Sequence, residues 1–246
     1  MGSTQGTGSK GQWFTTTHWS VVLGAGSADT SERASALERL CRTYHYPVYS
    51  YIRGRGNSPH DTEDLTQGFF ALLLKRDGFS GVMPGRVKFR SWLLTCVKNF
   101  LNDEHARQQA LKRGGGQALL SLDAEEAEYR YAIEPQHTET PERLFARRWA
   151  EALLKRVLDR LEQEFRAQGK GELLEQLRGL VVEGVSSRTH AEIARELSTT
   201  EDAVKKAAQR LRHKYQKILR EEIGRTVTTN TEVEEELRYL WSVLSS

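Results

Sequence analysis

The chain has 246 residues, 38% hydrophobic and 28% charged, with 36 Lys and Arg against 33 Asp and Glu. That composition suits one large or two small globular domains, and no apolar run of about eighteen residues is present to span a membrane. Cys41 and Cys96 lack CxxC spacing, and the opening MGSTQGTGSKGQ has neither a signal-peptide core nor a myristoylation pattern, so a reducing cytoplasm is the expected location.

The formal net charge of +3 is unevenly spread. Residues 1–107 carry 13 basic and 9 acidic groups, and residues 108–142 carry 3 and 7. Residues 143–185 carry 9 and 7, residues 186–225 carry 10 and 6, and residues 226–246 carry 1 and 4. Two basic blocks are thus separated by an acidic segment and followed by an acidic tail. This asymmetry fits a protein that meets a polyanion at two places, although solvated helix faces would produce it too.

In chain order, the spacing of Leu37, Leu40, Cys41, Tyr44, Val48 and Tyr51 predicts an amphipathic helix, with Pro47 expected to bend or shorten it. Ser58-Pro59, followed by Asp61, Glu63 and Asp64, opens a second helix with Leu65, Phe69, Leu72 and Leu73 as its apolar face. A Gly-rich loop covers 77–86. A third helix runs from about Phe89 to Arg107, with Trp92, Leu93, Cys96, Val97 and Phe100 inward. Gly114-Gly115-Gly116, the acids from Asp123 to Glu128, Pro135 and Pro141 mark 108–142 as a flexible acidic linker. Beyond it, Leu144, Phe145, Trp149, Leu153, Leu154, Val157, Leu158 and Leu161 define a further helix, and a short one covers about Glu172 to Val182. No alternating run long enough for a sheet is present, and no internal repeat.

Residues 189–220 give the sharpest local signal. Thr189-His190-Ala191-Glu192 reads as a capping box. It opens a short helix with Ile193, Ala194 and Leu197 on one face. After a turn, Thr199 or Thr200 caps a longer helix whose inner stripe is Val204, Ala207, Ala208, Leu211, Tyr215 and Ile218. Seven basic residues and no acidic one lie between Ala203 and Arg220. An ordinary helical hairpin could share parts of this pattern. The coincidence of cap, turn and basic run favours a helix-turn-helix reading DNA. Thr200, Lys205, Lys206 and Gln209 would face base edges, and Arg210, Arg212 and Lys214 phosphates.

In the first half, the acids near the start of 61–74, with Gln67 and the adjacent Phe69-Phe70, suggest a polar and aromatic surface for a protein partner. Lys98, Asn99, Asn102, Asp103 and Arg107 could bond bases, and Phe79, Phe89 and Trp92 are candidates for stacking. Trp92 and Phe100 suit a core better.

Three segments, DTEDLTQGFF, FRSWLLTCVKNFLND and HAEIARELSTTEDAVKKAAQRLRHKYQKIL, together resemble the extracytoplasmic-function group of bacterial RNA polymerase sigma factors, in the family order. The resemblance covers about residues 34–107 and 143–222. TTTHWSVVL and SLDAEEAEYRY further resemble a Planctomycetes-type subgroup. It implies an all-α fold of two small helical domains, a sigma region 2 and a sigma region 4 helix-turn-helix, on a flexible acidic linker. The expected divisions are an N-terminal segment 1–33, region 2 at 34–107, linker 108–142, region 4 at 143–225 and a helical extension at 226–246. Asp61, Asp64, Leu65, Gln67, Phe69 and Phe70 would contact the clamp of the largest subunit of core polymerase. Lys98, Asn99, Asn102, Asp103 and Arg107 would lie near the minus-ten strand of promoter DNA, with loop 76–88 capturing an extruded base. Thr200, Lys205, Lys206, Gln209, Arg210, Arg212 and Lys214 would meet the minus-35 element. Ser198 departs from the family's usual glycine before the turn, and Ala207, Ala208 and Gln209 depart in the recognition helix, so a promoter sequence does not carry over. An anti-sigma factor or another protein regulator is a further expected partner.

A self-sufficient helix-turn-helix regulator is the competing class. The chain has no GxxxxGK[ST], HExxH or GxSxG motif and no paired histidine ligands, so no catalytic residue, metal or cofactor is expected. In the tail, Val233, Leu237, Leu240, Trp241 and Leu244 form an apolar stripe beside acids, fitting a helix that docks on the protein's own domains or on a regulator.

Overall fold

The computed structural model describes residues 30–74, 88–111, 122–133, 139–181 and 188–245. Among these are nine helices and no strand: α1 (Thr30–Gly54), α2 (Pro59–Leu74), α3 (Phe89–Leu111), α4 (Leu122–Ile133), α5 (Pro141–Ala167), α6 (Gly171–Val181), α7 (His190–Glu196), α8 (Glu201–Gly224) and α9 (Asn230–Leu244). The fold is all-α, as the periodicity predicts. The expected loop at 76–88 lies outside the described residues except for Lys88, as do Phe79, TTTHWSVVL and most of the glycine-rich part of the linker.

Two compact units are present. The first comprises the residues up to Ala150 together with Gly224–Ser246, and the second is Glu151–Ile223. In the first, α1 packs against α2 and α4, and α2 against α3. Helix α1 runs through Pro47 without being shortened. An interior proline costs a helix about 3 kcal/mol, but Tyr44, Val48, Tyr49, Tyr51 and Ile52 are all at most 2% exposed around it. Their burial, at about 1.5–3 kcal/mol for each large side chain, outweighs that cost.

Ser58 caps α2, its Oγ accepting from the Asp61 amide at 3.1 Å. Thr62 and Thr66 are fully buried and donate back to the carbonyls of Ser58 and Thr62, each at 2.7 Å, so no hydroxyl is stranded in the core. Helices α2 and α3 approach closely at Gly68, where an added Cβ would lie 3.3 Å from Phe100 Cζ.

Residues 122–133, inside the segment expected to be a linker, are helical. A polar clasp ties this helix to α1. Glu128 accepts from the Tyr49 hydroxyl at 2.6 Å and from Arg53 Nε at 3.1 Å, while Arg130 lies over the Tyr46 ring at 3.9 Å. Ala127 packs against Tyr46 and Tyr49 beneath it.

Helix α5 contributes its first turns to the first unit. Phe145 meets Tyr51 edge-on with ring centroids 6.5 Å apart, and Leu144 lies over Gly54. In the second unit, Val157, Leu161, Leu174, Leu177, Ile193, Val204, Leu211 and Ile218 form the core. Glu222, 4% exposed, accepts from Arg156 at 2.7 Å and Arg160 at 3.3 Å.

Candidate nucleic-acid interface

Helices α2 and α3 enclose an open groove of about 490 Å³. Asp61, Asp64, Leu65, Gly68, Ala71 and Leu72 line one wall, and Phe100, Asp103, Glu104 and Arg107 the other. Exposed acids at its mouth and the half-exposed Leu72 (48%) give it a polar rim and an apolar floor. The sequence places Asp61, Asp64 and Leu65 in one role and Asp103 and Arg107 in another, and the structure brings the two sets to a single concavity.

Phe69 and Phe70 do not share that surface. They are 2% and 8% exposed. Phe69 packs edge-on against Phe100 at 5.8 Å, and Phe70 stacks with His45 at 6.0 Å. The expected exposed aromatic pair is therefore core, because α2 is covered on two sides, by α1 and by α3. Phe89 is likewise a core residue, 2% exposed against Tyr44 and Trp92, and not a stacking surface. Cys41 and Cys96 are thiols at neutral pH: burial raises both, Cys96 to about 11.

The outward face of α3 carries Asn99, Asn102 and Asp103, all exposed and spaced three and four apart. Lys98 is held beside them by Glu142 at 2.9 Å. The hydrogen bond from Lys98 lowers the Glu142 carboxyl and raises the ammonium, so both are charged at neutral pH. Arg107 pairs with Glu104 one turn back.

At the start of α3 lies a cluster that no local sequence pattern marks. Arg90 donates through Nε and Nη2 to the two carboxylate oxygens of Glu236, at 2.7 and 3.0 Å. Lys88 reaches Glu236 at 3.1 Å and Glu235 at 3.0 Å. The Arg90 guanidinium sits 3.6 Å from the Tyr239 ring centroid and 5.3 Å from that of Trp149. Burial opposes the Lys88 charge, but its hydrogen bonds to Glu235 and Glu236 prevail and raise its ammonium. Helix α9 thus docks in the first unit, burying Val233, Glu236, Leu240 and Val243 and leaving Trp241 52% exposed. Its start is a second capping box, Thr229 with Glu232.

In the second unit, the expected capping box at Thr189 and Glu192 is formed, and its hydrogen bonds hold the Glu192 carboxyl below the usual range. Thr200 rather than Thr199 caps α8, accepting from the Ala203 amide at 3.2 Å. Between the helices, Ser198 has φ 49°, the left-handed region that glycine fills best. The Ser198 amide bonds the Arg195 carbonyl at 3.2 Å, and the Thr199 amide bonds the Ala194 carbonyl at 2.9 Å, which together close a Schellman turn. The turn geometry is therefore kept with serine in glycine's place. Ser198→Gly should stabilise the second unit by roughly 0.5–1 kcal/mol, seen as a raised urea midpoint. A lowered midpoint would mean that the serine side chain itself holds the turn.

The outer face of α8 presents Lys206, Gln209, Arg210 and Arg212, all exposed. Lys205 is exposed too and pairs with Glu201 at 2.8 Å, which lowers the Glu201 carboxyl. Lys214 stands apart from this set: it is half-buried in a 2.5 Å pair with Glu164.

Residues 40–111 match the family model of sigma-70 region 2. The matching stretch runs from within α1 to the end of α3. No curated protein and no solved structure matches the chain significantly. No described helix is long and apolar enough to cross a membrane.

Proposed function

We propose that the chain is an RNA polymerase sigma factor of the extracytoplasmic-function group, Planctomycetes-type, that directs core polymerase to promoters and helps open them. The region 2 match over residues 40–111 carries this reading. The α2–α3 groove, with Asp61, Asp64, Leu65 and Leu72 on its α2 wall, is the polymerase contact, together with Gln67, which is exposed on the same helix outside the groove and bonds Glu63. Asn99, Asn102 and Asp103, with Lys98 and Arg107, face the minus-ten strand. The α7–α8 pair is the region 4 reader of the minus-35 element, with Lys205, Lys206 and Gln209 at its leading end and Arg210 and Arg212 on phosphates. The protein works in the cytoplasm, where polymerase and promoter meet. It performs no chemistry of its own, so binding energy is its whole output.

Asp64→Ala, Gln67→Ala and Leu72→Ala together should weaken binding to core polymerase by about 2 kcal/mol or more, roughly thirtyfold, while the helical content stays unchanged. Gel shifts on duplex promoter DNA, with and without core polymerase, complete the test. Two readers of modest affinity need a scaffold to act as one. Specific nanomolar binding by the protein alone, without polymerase, would reject the sigma reading in favour of a self-sufficient regulator.

A further inference from the structure

We propose that Lys88, Arg90 and Trp149 form a binding site for single-stranded nucleic acid that α9 occupies with its own carboxylates. The inference rests on the reading of α3 as promoter-facing. Arg90 and Lys88 begin that helix, and Trp149 lies within 5.3 Å of the Arg90 guanidinium. A guanidinium, an ammonium and an indole together are the groups that neutralise a strand and stack on its bases. Glu236 presents two anionic oxygens to the cations, much as a phosphate does, and Glu235 adds a third oxygen.

The way α9 is held favours exchange over permanent docking. Of its four buried residues one is a charge, Glu236. Apolar side chains of similar volume commonly hold such a position more firmly than an ion pair does. An ion pair also yields to a competing polyanion, which leaves only Val233, Leu240 and Val243 as buried apolar contacts to hold the helix. The groups that α9 covers and the groups a strand requires are the same, so the two exclude one another.

The test uses the full chain and a fluorescein-labelled single-stranded DNA of about twelve nucleotides, within the usual footprint of such sites. Glu235→Gln with Glu236→Gln should tighten binding about tenfold and steepen the salt dependence by roughly 1.4, the effect of two released cations on a single strand. Adding Arg90→Gln should erase that gain. In the unsubstituted chain, hydrogen exchange should show α9 amides losing protection when the DNA is added. Unchanged affinity in the glutamine variant, or α9 protection that persists at saturating DNA, overturns the proposal. Asn99→Ala with Asn102→Ala separates the two levels. If it weakens binding while the glutamine variant does nothing, α9 is a structural helix and α3 still faces DNA. If neither changes binding, the reading of α3 falls as well.

Discussion

Phe69→Ala should destabilise the first unit by about 3–5 kcal/mol, the range for removing a buried phenylalanine from a packed core. Phe69 is 2% exposed and meets both Phe70 and Phe100, so the truncation leaves a hole bounded by rigid neighbours from two helices. Since domains of this kind rest on about 5–15 kcal/mol in total, the variant should lose a large part of its stability. Urea unfolding followed by far-ultraviolet circular dichroism measures it. A cost under about 1 kcal/mol, with weakened polymerase binding, would return Phe69 to the surface role suggested by its sequence neighbourhood.

Ile193→Ala should cost the second unit about 2–5 kcal/mol and strip α7 of its hydrogen-exchange protection. Helix α7 has only seven residues, far too few to persist alone in water. Its capping box fixes where it starts, but only Ile193 and Ala194 anchor it in the core. With the isoleucine cut back, the segment before the Ser198 turn has little to hold it. Protection of α7 unchanged in the variant would show that the turn and cap suffice.

The elements most legible in the sequence are those whose signals are local. Four of the six α8 stripe residues, Val204, Ala208, Leu211 and Ile218, are buried as their spacing predicts, while Ala207 and Tyr215 are only half-buried, and Thr189-x-x-Glu192 forms its box because both partners lie within one turn. Thr229-x-x-Glu232 carries the same local signal and forms the same box. Phe69 and Phe70 are core where their sequence neighbourhood suggests a surface, for a physical reason: neighbours on a helix point about 100° apart, and a sequence does not state how many sides of that helix are covered. The apolar stripe of α9 fits docking on the chain's own domains and on a regulator equally. Arg90 and Glu236 are 146 residues apart, and no pattern within either segment names the other. The clasp of Tyr49 and Arg53 with Glu128 is hidden in the same way, across 79 and 75 residues, because Glu128 lies in a stretch whose glycines and acids read as a tether.

The first unit is interrupted in the chain: Gly224–Ser246 returns to it after the whole of Glu151–Ile223 has intervened. A ribosome delivers these pieces in order. The earlier helices can collapse as they emerge, since domains generally fold as units during synthesis. Glu235 and Glu236, however, are made only after the second unit has been spelled out. Until then, each nascent copy has Lys88 and Arg90 without those two carboxylates. The newborn protein therefore passes through an interval, set by translation speed, in which Lys88 and Arg90 await their own carboxylates among the polyanions of the translating cell.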